Sequence, residues 1–119
     1  MTDKHVNLKF LEENTQGDPA LMAELIEIFL NTTPPMLLEI EEFYRLHDWS
    51  SLRKVAHKLK SNLNTLGIDE LSAPIMKVER FTGEGSHIEE IGALIEKIRR
   101  ISQLASKELM LELELLKKQ

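Results

Sequence analysis

Cysteine is absent from these 119 residues, so neither a disulfide framework nor a cysteine-ligated zinc site can form. Aromatic residues make up 5% and glycines number only five, a composition poor in strand formers and in loop punctuation. No apolar run reaches the ~18 residues that a membrane-spanning helix needs, and no charged-then-apolar leader is present, so a soluble, cytoplasmic protein is expected. Basic residues (15) are outnumbered by acidic ones (20), and the net charge of −5 argues against nucleic acid as the main partner. What remains is rich in Leu, Ile, Glu and Lys, 42% hydrophobic and 29% charged, which favours helix. The length suits a single domain spanning 1–119, with a core over about 7–117.

Punctuation divides the chain into helices. A short apolar turn around Leu8, Phe10 and Leu11 ends near Gln16-Gly17. Asp18-Pro19 then reads as a cap followed by proline at the first helical position, and Leu21/Met22, Leu25/Ile26 and Phe29/Leu30 recur every four residues behind it. Thr33-Pro34-Pro35 is expected to end that helix and open another, running to about His47. Asp48 should cap a helix over 48–66 that Gly67 closes, and a further helix is expected over 69–82, its start blurred by Pro74. Gly83-Glu84-Gly85 reads as a loop, Ser86 with Glu89 as a capping box, and 87–117 as a final helix about 45 Å long. Short connections between long amphipathic helices predict an all-α fold: an antiparallel four-helix bundle with a short extra N-terminal helix.

The helix around residue 57 carries the chemistry. At about 100° per residue with Leu59 at zero, Leu52, Val55, Ala56, Leu63 and Leu66 fall within about 60° of it, while His57 lies about 160° away. Arg53, Lys54, Lys60, Ser61 and Asn64 share the histidine's side. Residues 49–68 contain no Asp or Glu, where an even spread would place about three, yet they include Arg53, Lys54, Lys58 and Lys60. An exposed imidazole in a cationic setting suits a dianion such as a phosphoryl group. Neutral imidazole is a competent nucleophile toward phosphorus. Lys60, three residues on, lies within about 5–6 Å at the Cβ level and can offset added negative charge, an effect of about 1 kcal/mol or less on an open surface. The small Ser61 leaves room for a partner to approach.

His57-Lys58-Leu59-Lys60-Ser61, preceded by Ala56 and followed by Leu66-Gly67, resembles the His-x-x-Lys-Gly signature of histidine-containing phosphotransfer (HPt) domains. Asp48-Trp49 matches the family's acidic-aromatic helix start, and Phe29-Leu30 with the proline-bearing turn matches the end of the preceding helix. The resemblance covers nearly the whole chain. It implies a four-helix bundle whose His57 accepts a phosphoryl group, on the ring nitrogen distal to the main chain, from an aspartyl phosphate on a response-regulator receiver domain. His57 then passes the group to another receiver, and Lys60 balances the phosphoryl charge. Arg53, Lys54, Lys58, Ser61 and Asn64 become partner-binding candidates, with a hybrid histidine kinase as a further candidate partner. Ser61 departs from the family's usual Gly, which bears on which receivers fit.

No nucleotide-binding loop or kinase-type motif accompanies the histidine, so no autonomous enzyme and no cofactor are expected, and magnesium is expected on the receiver. His5, His47 and His87 lie near helix ends without ligand-like spacing, so no metal site is expected. The alternative function is a helical docking module that binds an acidic partner or receiver without phosphotransfer. Trp49 and Tyr44 suit packing at a helix junction, and the methionines suit core filling. The run Leu109 to Leu116 holds more leucine than one buried stripe needs. A monomer is the family expectation, and that run leaves a dimer open.

Overall fold

The computed structural model of this chain describes residues 5–63 and 66–118. Helix α1 spans Leu8–Asn14, and the Asn7 side chain accepts its first free amide, from Phe10, at 3.0 Å. Gln16 and Gly17, both at positive φ, turn the chain into Asp18. Its carboxylate caps α2 by accepting from the amides of Ala20 (3.0 Å) and Leu21 (3.4 Å).

Helix α2 runs unbroken over Pro19–Arg45, so the expected break at Thr33-Pro34-Pro35 does not occur. An interior proline costs about 3 kcal/mol through its missing N–H and its clash with the carbonyl four residues back. Here the buried stripe carries straight through: Met22, Ile26, Phe29, Thr33 and Ile40 share one face. Each large side chain buried there contributes about 1.5–3 kcal/mol, so continuing the helix outweighs the two prolines. Both prolines point outward and are exposed.

Helix α3 covers Trp49–Leu63, with the Asp48 carboxylate accepting from the Ser51 amide at 3.2 Å. Hydrogen bonds from Ser51 hold the Asp48 carboxyl below the ordinary aspartate range. Leu66 and Gly67 lie beyond the helix, and Gly67 takes the left-handed conformation (φ +65°) expected of a helix-closing residue. A single 3-10 turn, Asp69–Leu71, precedes α4, Ser72–Glu84. Pro74 therefore sits in the first turn of α4, where its missing N–H has no acceptor to lose.

Gly83 and Glu84 belong to α4 instead of a loop, and Gly85 (φ +67°) ends the helix. Helix α5 spans Ile88–Lys117, but the Ser86/Glu89 capping box does not form. The Ser86 amide is already committed to the Phe81 carbonyl at the end of α4 (3.1 Å). His87 becomes the N-cap in a left-handed conformation, its ring stacked on Phe81 at 4.7 Å.

The four long helices form a closed ring in which α2 packs on α3 and α5, and α4 packs on α3 and α5. Ion pairs Glu41–Arg99 (3.5 Å) and Glu27–Lys117 (3.4 Å) show α2 and α5 to be antiparallel. Among the described residues there is no strand. The α3–α4 face and the α2–α5 face look in opposite directions.

Candidate functional site

The helical wheel of α3 is realised. Leu52, Val55, Ala56, Leu59 and Leu63 are buried, whereas Arg53, Lys54, His57, Lys58 and Ser61 are exposed. The His57 side chain is 65% exposed, enough for a partner molecule to reach the ring. Lys60 is half-buried at the border between core and surface. Asn64 lies outside the described residues.

The facing helix supplies a residue that local sequence reading missed. Glu79 of α4 brings both carboxylate oxygens to 3.4 Å from Nδ1 of His57, and its Oε1 lies 3.3 Å from Nζ of Lys60. The surround of the histidine is therefore not purely cationic: one acid, 22 positions downstream, is shared between imidazole and ammonium. Oε1 is buried and makes no hydrogen bond among the described residues, so its nearest polar company is these two groups. A clue was available in α4 itself. Ile75, Val78 and Thr82 are buried, and Glu79 sits between them at the edge of that stripe, an uncommon place for a carboxylate without a partner.

A shallow hollow of about 690 Å³ opens beside the ring, lined by Arg53, Lys54, His57, Lys58 and Glu79 with the α4 backbone at Gly83. The Arg53 side chain lies across Gly83, where an added Cβ would meet the guanidinium carbon at 3.4 Å. The bare backbone of α4 there seats a cation at the rim of the hollow. On the other side of His57, the Ser61 hydroxyl donates back to the His57 carbonyl at 3.3 Å. The serine side chain is thus folded onto its own helix and leaves the approach to the imidazole low.

This arrangement suits a covalent carrier. A carboxylate facing Nδ1 favours the tautomer with the proton there, which leaves the lone pair on the outward Nε2. Ser50 and Thr82 also line the hollow, with the Thr82 hydroxyl donating to the Val78 carbonyl at 2.7 Å, and no group of three or more metal-ligating side chains occurs among the described residues. The remaining histidines have structural company: His5 Nδ1 lies 2.8 Å from Glu70, and His47 stacks on Trp49 at 5.2 Å. Trp49 also packs against Tyr44 at the α2–α3 junction (6.1 Å), as its sequence position led one to expect. No helix among the described residues is long and apolar enough to cross a membrane.

Comparison with known proteins bears on the fold and the family. A search of curated proteins found no match. Among solved structures, the fold is similar to histidine-containing phosphotransfer protein B (HptB) from Pseudomonas aeruginosa PAO1, with a TM-score of 0.85 and 18% identity over 95% of this chain and 97% of that one. The sequence profile of the Hpt domain matches residues 24–116, a span that holds α3, α4 and nearly all of α2 and α5. The chain belongs to the family of histidine-containing phosphotransfer domains.

Proposed function

We propose that this protein is a phosphorelay carrier in which His57 accepts a phosphoryl group from the aspartyl phosphate of one receiver domain and delivers it to an aspartate of another. Nε2 attacks phosphorus, the P–N bond forms, and the P–O bond to the aspartate carboxylate breaks. The positive charge that develops on the ring is met at Nδ1 by Glu79, 3.4 Å away. Lys60, 3.3 Å from the same carboxylate, is placed to swing toward the phosphoryl oxygens. Magnesium and the electrostatic stabilisation of the transferring group would come from the receiver. Arg53, Lys54, Lys58 and Ser61 form the surface that a receiver meets, with Asn64 assigned to it from sequence alone. A hybrid kinase carrying its own receiver is a candidate donor, and a cytoplasmic setting goes with these partners.

The observation that carries the proposal is an exposed imidazole held at Nδ1 by a half-buried carboxylate, in a chain of this family. Receiver domains phosphorylated on aspartate should label the wild-type protein, and His57→Gln should remove all label while circular dichroism stays unchanged. Label that persists on His57→Gln would move the acceptor elsewhere. Binding without any transfer in the wild type would instead favour a docking module.

A further inference from the structure

The face opposite His57 exposes several large apolar side chains. Along α2 and α5, Leu38, Met110, Leu111 and Leu115 each expose more than half of their surface, and Leu104 exposes 39%. Leu104, Leu111 and Leu115, at positions i, i+7 and i+11, form one outward stripe on α5. Beside it, α2 and α5 leave a groove of about 620 Å³ whose walls include Pro34, Leu37, Leu38 and Leu104. Singly exposed leucines are ordinary, but an aligned stripe beside an apolar groove marks an interaction surface.

Charge identifies the occupant. Residues 97–107 of α5 carry Lys97, Arg99, Arg100 and Lys107 and no acid, while residues 108–116 carry Glu108, Glu112 and Glu114 and no cation. Glu108 is engaged within the chain, accepting from the His5 amide at 2.9 Å, whereas Glu114 stands in the last turn of α5, where an acid opposes the helix dipole. Arg100, Lys107 and Glu114 are exposed and form no ion pair among the described residues.

We infer that two chains associate through this face as a two-fold dimer with their α5 helices antiparallel. A dyad between Leu104 and Leu111 sets each Leu104 against Leu111 of the other copy and aims Leu111 at the groove beside Leu38. The same operation lays residues 99–107 of one α5, with their three cations, along residues 108–116 of the other, with their three acids, and sets Arg100 abreast of the second copy's Glu114 turn. A parallel pairing would instead oppose like charges. Lys107 meets its symmetry mate near the dyad, and its long exposed side chain can turn to solvent. The contact is closed and isologous, so it stops at two copies. The ring order of the helices puts α3 and α4 on the far side, so both copies of His57 stay open to partners. That last consequence rests on the proposed function, whereas the dimer does not.

Sedimentation of the full chain tests this. The mass should rise from 13.7 kDa toward twice that value as concentration passes through the micromolar range. Leu111→Glu should hold the mass at one chain with unchanged helicity. Arg100→Glu and Glu114→Arg should each weaken the dimer roughly tenfold, because two symmetry-related contacts change at once. Combining both substitutions should restore it, since the charges are exchanged across the dyad. A mass of one chain at every concentration overturns the inference. So does a dimer indifferent to these substitutions, or a double variant weaker than either single one.

Discussion

Glu79 is the acid nearest the histidine ring, although it lies on another helix. Its carboxylate faces Nδ1 of His57 and Nζ of Lys60 at nearly equal distances, so under the proposed function a single acid would orient the nucleophile and hold the neighbouring cation in reserve. On an open surface such contacts are worth about 1 kcal/mol or less each. Glu79 is only 18% exposed, so its charge is less screened than a surface carboxylate's. In the proposed relay, phosphorylation of His57 would bring a dianion near that largely buried charge, and Lys60 would separate the two. Replacing Glu79 with Ala removes both the acceptor at Nδ1 and the charge. Phosphoryl uptake by His57 should then slow by about tenfold, near 1.4 kcal/mol of barrier. Glu79→Gln keeps an acceptor oxygen and should fall between Ala and wild type. Rapid-quench transfer assays give the rates, and nitrogen-15 spectra of the imidazole report the tautomer. Wild-type rates and an unchanged tautomer in Glu79→Ala would show that the carboxylate positions nothing.

Among the elements, the turn after α3 is the most constrained, because Gly67 meets two requirements at once. Its φ of +65° disfavours any side chain, and a Cβ there would lie 2.8 Å from Cβ of Asn7 and 3.2 Å from Cδ1 of Phe10. The Asn7 amide also donates to the Gly67 carbonyl at 3.2 Å, so this glycine docks α1 against the end of the histidine helix. Gly85 has the same conformation (φ +67°) with open space around it. Gly85→Ala should therefore cost about 1 kcal/mol of backbone strain alone. Gly67→Ala should cost about 3 kcal/mol, because Asn7 and Phe10 must also move. Urea unfolding of the two variants separates the effects, and equal losses would remove the role given to the α1 contact. Much of this element structure was legible from local signals. The Asp18 and Asp48 caps, the positive φ of Gly67 and the outward placement of His57 all follow from spacing within one segment. The failures arose where another part of the chain decides. Burial of Phe29 and Ile40 carries α2 through Pro34 and Pro35, and closure of α4 by the Ser86 amide displaces the capping box. Glu79 was hidden for the same reason: only the packing of α4 on α3 brings it to the site.

For the whole molecule, sign and place of charge pull against each other. The chain carries −5 overall, so at long range it repels an anionic partner. The surface around His57 carries Arg53, Lys54 and Lys58, all exposed, and at short range it attracts one. Which wins during encounter depends on distance relative to the Debye length, about 8 Å at physiological ionic strength and about 3 Å at 1 M. In the proposed relay, a receiver bearing an aspartyl phosphate would bring its dianion within bonding distance of Nε2, well inside that length, so the local cations would dominate the productive approach. Association with a phosphorylated receiver should therefore slow as salt rises, by about tenfold or less between 0.05 and 0.5 M given three surface cations. Charge reversal at Arg53 and Lys54 together should slow it at low salt and flatten the dependence, with folding unchanged because both side chains are exposed. Stopped-flow binding across a salt series measures the slope. A rate that climbs with salt would mean that the net charge governs the encounter, and the basic face of α3 would then be a solvated surface with no steering role.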